Sequence, residues 1–236
     1  MSQTISKPRR TIKALIAVRG GSLRVENKNI RPFCGSSLLE LKVRQLVALP
    51  ELDGVVVNSE DDEMLDIARK LGAEAVKRDA HFASNTVSMS DVYVNMAQYC
   101  DATDIMYANV TNPLVKSETY QAALEQYLNL HEDYDSLASG ALVKEFLWLD
   151  GRPINYDTSH QPRSQDLPLI SKLTFAISIL PKELMIQRKN VVGGTPFIYV
   201  MDEIESLDID TPLDFFMAQF LYQKLRIEDK PLKEII

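Results

Sequence analysis

Thr11-Ile12-Lys13-Ala14-Leu15-Ile16-Ala17-Val18-Arg19-Gly20-Gly21-Ser22-Leu23-Arg24 is the stretch on which the fold turns. Its first half is a short, nearly continuous apolar run, and the run stops at a glycine pair, as a strand buried on both faces does when it feeds a loop. Downstream, residues 37–49 carry apolar side chains at helical spacing until Pro50 blocks continuation, and Val55-Val56-Val57 supplies a second buried strand. Strand, loop, helix and strand in this order make a βαβ unit with a parallel pair.

The alternation continues along the chain. Residues 61–71 read as a helix stopped by Gly72, 73–77 as a strand, 88–99 as a helix, 104–108 as a strand and 117–130 as a helix with Ser117 as its N-cap. Residues 137–200 lose this rhythm and become strand-rich, which reads as an excursion from the sheet. Residues 211–225 close the chain as a helix, with Pro212 in its first turn and Leu213, Phe216, Met217 and Phe220 on one face. The expectation is one α/β domain over 236 residues with a mostly parallel central sheet.

Composition narrows the function classes. A net charge of −7 gives the chain as a whole no electrostatic reason to bind nucleic acid or an anionic membrane. No run approaches the length of a transmembrane helix and the first residues lack a signal-peptide core, so the reading is cytoplasmic. Two cysteines, Cys34 and Cys100, are too few for a disulfide framework, and His81, His131 and His160 show no zinc spacing. The basic tetrad Lys7-Pro8-Arg9-Arg10 reads as a solvated terminus.

In an open α/β sheet ligands bind beyond the carboxyl ends of the strands, which places the loop 19–29 at the expected site. Its glycines offer unhindered N–H groups, Ser22 a hydroxyl, Arg19 and Arg24 guanidinium forks and Lys28 a point charge, a composition suited to a triphosphate. The spacing is neither a Walker A loop nor a dinucleotide fingerprint, and a basic surface loop would use the same residues. Near the other end, Ser206-Leu207-Asp208-Ile209-Asp210-Thr211 puts two carboxylates at alternate positions, on one side of an extended chain. Such a pair suits Mg²⁺, which takes one or two carboxylates and completes its shell with water and phosphate oxygens. A solvated strand end, with Asp210 capping the next helix, fits equally. A third stretch, Gln161-Pro162-Arg163-Ser164-Gln165-Asp166, holds an arginine able to clamp a carboxylate, or is an exposed loop.

In order, these segments resemble the acylneuraminate cytidylyltransferase family, the CMP-sialic acid synthetases and their relatives. Ala17 to Ile30 is similar to the family's nucleotide loop, Asn58-Ser59-Glu60-Asp61 to its second-strand turn, and Arg78 with Ala83-Ser84-Asn85-Thr86 to its nucleoside segment. Asn109-Val110-Thr111-Asn112-Pro113-Leu114 resembles its Gln-Pro-Thr-Ser-Pro-Leu motif, and the Arg163 and Asp208-Asp210 stretches resemble its late motifs. The resemblance implies a Rossmann-like nucleotidyltransferase fold whose excursion, residues 143–195, docks on a second copy to form a homodimer. It implies transfer of CMP from CTP to the anomeric hydroxyl of an acidic 3-deoxy-ulosonic or nonulosonic sugar, with release of pyrophosphate. Arg19, Ser22, Arg24, Lys28, Asn29 and Arg78 would hold the nucleotide, Asp208 and Asp210 would hold Mg²⁺, and Asn109, Arg163 and Gln165 would address the sugar. Asp210, Arg19 and Lys28 are the catalytic candidates.

Several positions depart from the pattern: Leu23 stands for a lysine, Asn109 for glutamine, Asn112 for serine, Val115 for arginine, Thr174 for asparagine and Ser178 for tyrosine. The resemblance therefore does not carry one particular sugar to this chain. A different acid or phosphonate acceptor, or a nucleotide-binding subunit without catalysis, are the competing readings.

Overall fold

The computed structural model describes residues 10–22, 24–84 and 86–228. Leu23, Asn85 and the first three residues of the basic tetrad lie outside them. Nine strands and six helices follow one another among the described residues: β1 (Ile12–Ala17), α1 (Leu38–Val47), β2 (Gly54–Ser59), α2 (Asp62–Lys70), β3 (Glu74–Lys77), α3 (Met89–Gln98), β4 (Asp104–Ala108), α4 (Ser117–Leu128), β5 (Ser136–Val143), β6 (Trp148–Leu149), β7 (Arg152–Pro153), β8 (Ile170–Pro181), α5 (Lys182–Arg188), β9 (Pro196–Val200) and α6 (Pro212–Glu228). Seven strands form one sheet in the order β3-β2-β1-β4-β8-β5-β9, and β6 and β7 form a separate hairpin. β8 runs antiparallel to both its neighbours, and the other pairings in the large sheet are parallel.

The apolar run of β1 is explained by burial on two faces. Ile12, Ala14 and Ile16 point into a core shared with α1, α2, α4 and α6, whereas Leu15 points into a second core built with α3 and α5. β4 repeats the division, with Met106 and Ala108 on one side and Ile105 and Tyr107 on the other. The first helix starts where a cap permits it: Ser37 Oγ accepts from the Glu40 amide at 3.2 Å, and Glu40 folds back onto the Ser37 hydroxyl.

Strand order decides where a ligand can sit. From β1 the chain moves to β2 and β3 on one side, then returns to place β4 on the other side of β1. The loops leaving the carboxyl ends of β1 and β4 therefore diverge, and a crevice opens between them.

The structure corrects two expectations and adds a helix. Most of 137–200 is not an excursion: β5, β8 and β9 complete the central sheet, and 144–169 is the part that leaves it. The rhythm is lost because β8 is long and antiparallel, with a bulge opposite Ser139 where Phe175 takes φ +54°. Ser139 Oγ repairs the interruption by accepting from the Ile177 amide at 3.0 Å. Ser117 is not the N-cap of α4; Lys116 occupies that position, and the Ser117 hydroxyl lies 3.5 Å from Gln45 Nε2. Residues 182–188, read only as part of the strand-rich stretch, form α5. On α6 the stripe Leu213, Phe216, Met217 and Phe220 faces outward in the single chain, while Phe215 and Ala218 are buried. Phe33 packs edge-on against Phe215 and Tyr222.

Among the described residues Lys42 is the most deeply buried charged side chain. Lys42 on α1 is 1% exposed, and burial draws its pKa down to about 7, against a smaller opposing pull from Glu205. Unfolded, the lysine titrates near 10.5. Between pH 7 and 10.5 the unfolded chain thus binds more protons than the folded one, so stability rises with pH in that window. Lys42→Met removes the titration. Urea denaturation should show wild type gaining on this variant as pH rises from 7 to 10, by on the order of a few kcal/mol; a flat difference would mean that Lys42 keeps an ordinary pKa.

Candidate active site

The loop after β1 is fastened at several points. The Val18 amide donates to the Asn58 carbonyl at 3.1 Å, and the Gly20 amide donates to Glu60 Oε1 at 2.7 Å. A Cβ on Gly20 would stand 3.2 Å from Asp61 Oδ2, and Gly21 has φ +67°, so each glycine meets a different demand of the turn. Asn29, buried, donates through Nδ2 to the Arg19 carbonyl at 3.0 Å, and Arg19 Nη1 reaches the Ala83 carbonyl at 3.1 Å. Ser22 is half-buried in the same turn.

A cavity of about 350 Å³ opens beneath this loop, lined by Arg19, Asn29, Arg78, Phe82, Ser84 and Tyr107 among others. Arg78 is buried in its wall. Its Nε donates to Asn58 Oδ1 at 2.6 Å and its Nη2 to the Asn58 carbonyl at 2.7 Å. Burial lowers the guanidinium's pKa, with Glu60 and Tyr107 opposing. The cavity combines an aromatic ring, a hydroxyl and a fixed cation, the equipment to hold a nucleoside.

The carboxylate segment reaches the same crevice from the end of the chain. The Ile209 amide donates to the Thr111 carbonyl at 2.9 Å, Asn112 Nδ2 to the Leu207 carbonyl at 3.1 Å, and Lys28 Nζ to the Ile209 carbonyl at 2.6 Å. These bonds bring Asp208 and Asp210 beside the phosphate loop, where Arg24 Nη2 lies 3.0 Å from Asp210 Oδ1. Burial raises the Asp208 pKa, Asp210 adds to the rise, and a bond from the Thr111 side chain and the charge of Lys28 oppose it. Burial also lowers the Lys28 pKa, with Arg24 acting in the same direction and the two aspartates against it. Asp210 does not cap α6. Thr211 Oγ1 accepts from the Asp214 amide at 3.3 Å and Asp214 Oδ2 accepts from the Thr211 amide at 2.7 Å, a reciprocal cap that leaves the Asp210 carboxylate to the site.

Whether this pair suits a hard cation can be tested on its atoms. Asp208 Oδ1 is buried without a hydrogen-bond partner, and an orphaned carboxylate oxygen is a costly feature unless a cation completes it. Among the described residues no three His, Cys, Asp or Glu side chains converge as a metal cage. Two carboxylates completed by water and phosphate oxygens fit Mg²⁺ and exclude a dedicated protein cage.

The other sequence candidates fare differently. Asn109 follows directly on β4 and is half-buried at the crevice. Arg163 and Gln165 stand on 144–169, exposed; Arg163 Nε engages Asp166 Oδ2 at 2.8 Å rather than a residue of the crevice. Of the departures set on the sugar side, Asn112, Val115, Thr174 and Ser178 are all buried. Asn112 and Thr174 bond internally, to the Leu207 carbonyl and Ser139, while Asn112 Oδ1 and Ser178 Oγ are buried without a partner. Sequence reasoning missed Asn58, which seats Arg78, and Thr111, which meets Asp208. Both lie in stretches that carry the family resemblance, but neither was singled out there as a site residue.

Basic side chains of the β1 loop beside a carboxylate pair are an arrangement suited to nucleotidyl transfer. The chain belongs to the cytidylyltransferase family, whose model matches residues 13–161. It is similar to the "Post-translational flagellin modification protein B" of Campylobacter coli, 26% identical over 230 residues covering 93% of this chain and 98% of the relative. It is 24% identical over 220 residues to a pseudaminic acid cytidylyltransferase of Campylobacter jejuni, covering 89% and 95%. Among solved structures, a CMP:2-keto-3-deoxy-manno-octonic acid synthetase complexed with CTP aligns with TM-score 0.67 at 13% identity, over 91% of this chain and 99% of that one. A 4-diphosphocytidyl-2C-methyl-D-erythritol synthase from Anaerococcus prevotii aligns at 0.68 and 12%, with the same coverage. The two structures bear out the nucleotidyltransferase fold.

Lys28 joins the phosphate loop to the carboxylate segment, so Lys28→Met should weaken CTP binding by roughly ten- to a hundredfold, the worth of one charge-assisted bond. Calorimetric titration with CTP measures this, and an unchanged affinity would remove Lys28 from the nucleotide site.

Proposed function

We propose that this chain transfers CMP from CTP to the anomeric hydroxyl of an acidic ulosonic or nonulosonic sugar. The observation that carries the reading is the convergence of Arg24, Lys28, Asp208 and Asp210 at the crevice between β1 and β4. The names of the relatives, a pseudaminic acid cytidylyltransferase and CMP-N,N'-diacetyllegionaminic acid synthases, support the acceptor class.

In this reaction the sugar hydroxyl oxygen bonds to the α-phosphorus, the bond from that phosphorus to the bridging oxygen breaks, and pyrophosphate leaves with the electron pair. Arg19, Ser22 and Asn29 orient the triphosphate, and Lys28 and Arg24 offset the charge that grows on the leaving group. Mg²⁺, held by Asp208 and Asp210, would add positive charge at the phosphate oxygens. Asp210, exposed and free of capping, is placed to receive the hydroxyl proton. Arg78 fixes the nucleoside end, and Asn109 faces the acceptor.

The homodimer is proposed on the exposed apolar side chains of 144–169, Trp148, Leu149, Ile154 and Leu169, which one chain leaves uncovered. Docking there would bring Arg163 and Gln165 to a shared acceptor site. We place the reaction in the cytoplasm, on its use of CTP and on the absence of a disulfide at Cys34 and Cys100. No helix of the described residues is long and apolar enough to cross a membrane.

Pyrophosphate release from CTP, Mg²⁺ and a panel of acidic sugars tests the reading. Release with CTP and one ulosonate, and none with ATP, GTP or UTP, is the expected result; silence across the panel with CTP still bound would overturn it. Asp210→Asn should lower kcat by roughly two to three orders of magnitude with circular dichroism unchanged.

A further inference from the structure

Lys42 lies outside the nucleotide cavity and touches no proposed ligand, yet it occupies a buried helix position among Leu38, Leu39, Val43 and Leu46. An apolar side chain there would pack without the cost of desolvating an ammonium. What the lysine obtains is three polar partners around its Nζ: Tyr120 Oη at 2.6 Å, the Asn112 carbonyl at 3.1 Å and Gln45 Oε1 at 3.3 Å. Gln45 extends the grip, donating through Nε2 to the Val115 carbonyl at 2.7 Å. One buried side chain and its neighbour thus hold both ends of 112–115, the turn between β4 and α4.

That turn is the surface on which the carboxylate segment rests. Asn112, held at its carbonyl by Lys42, donates its side-chain amide to the Leu207 carbonyl, one residue before Asp208. Thr111 takes the Ile209 amide on its carbonyl and bonds Asp208 through its side chain. Further along, the Lys116 amide donates to Glu205 Oε2 at 3.0 Å, and its ammonium pairs with the same carboxylate. The path from Lys42 to Asp208 is thus two hydrogen bonds, Lys42 to the Asn112 carbonyl and the Asn112 side-chain amide to the Leu207 carbonyl, joined through the covalent chain.

We propose that Lys42 is a positioning residue for the cation site: from beneath the sheet it fixes the 111–116 turn, and through Asn112 and Thr111 it sets the placement of Asp208 and Asp210. The proposal rests on the reading of those two aspartates as metal ligands. Groups behind a metal's direct ligands orient them, and losing one costs roughly ten- to a hundredfold in metal affinity or activity.

The test compares wild type with Lys42→Met, Asn112→Ala, the double variant and Asp210→Asn. Mn²⁺ is titrated into each protein with and without CTP, and the loss of the free-ion EPR signal gives its affinity. Lys42→Met and Asn112→Ala should each weaken Mn²⁺ binding roughly tenfold and lower kcat, with KM for CTP close to wild type. The double variant should be no worse than the more affected single one, because both act through one path. Asn112→Ala keeps the carbonyl that Lys42 grips, so it carries the test if Lys42→Met does not fold. Wild-type Mn²⁺ affinity in both single variants, with Asp210→Asn impaired, overturns the role of Lys42 and leaves the metal site standing. Wild-type affinity in Asp210→Asn overturns the metal site itself and the Lys42 role with it.

Discussion

The bond from the Ile209 amide to the Thr111 carbonyl joins the last extended segment of the chain to the loop at the sheet's switch point. Without it the two aspartates would be a solvated pair far along the sequence from the phosphate loop. With it, and with Lys28 on the Ile209 carbonyl, Asp208 is partly buried, and that burial raises its pKa. Main-chain groups make the junction, so the side chains of Asp208 and Asp210 remain available for chemistry.

Charge is managed locally in a molecule that is acidic overall. A net −7 would repel a nucleotide triphosphate at long range, yet Arg19, Arg24 and Lys28 gather on one loop. Their like charges are offset in part by Glu60 on the Gly20 amide and by Asp210 on Arg24, both on the nucleotide side of the sheet. An incoming triphosphate would exchange the exposed Arg24–Asp210 pair for its own contacts, and exposed ion pairs of that kind cost little to open.

The legible parts of this chain are those where one residue type answers one local demand. β1, β2 and β4 were visible because strands buried on both faces are apolar throughout. Arg19, Lys28, Asp208 and Asp210 stood out as candidates because a phosphate or a hard cation restricts the side chains that could hold it, and the structure brings Lys28, Asp208 and Asp210 near one another. β8 was not, since its bulge at Ser139 breaks the period on which strand reading depends, and α5 was lost in the same stretch. Lys42 gave no signal either: a lysine on an amphipathic helix normally reads as solvent-facing, and only the three polar partners converging from α1, α4 and the β4 turn make its burial tolerable. On α6 the aromatic stripe was legible and its direction was not, because Phe215 and Ala218 already fill the space against Phe33.

The interior placement of Asn112, Val115, Thr174 and Ser178 changes what their departures from the resembling family mean. Asn112 spends its amide nitrogen on Leu207 and its carbonyl on Lys42, and Thr174 shares a hydroxyl bond with Ser139. These residues form a set adapted to one another: a buried lysine beneath the turn calls for a carbonyl above it, and a bulged β8 calls for hydroxyls beside it. Differences at such positions go with the packing around the antiparallel strand β8 inside the sheet. Of the candidate acceptor residues, Asn109 follows directly on β4, and Arg163 and Gln165 stand on 144–169, where Arg163 pairs with Asp166. A clamp on a hairpin segment can change its target without disturbing the nucleotide end, because no strand of the central sheet has to move with it.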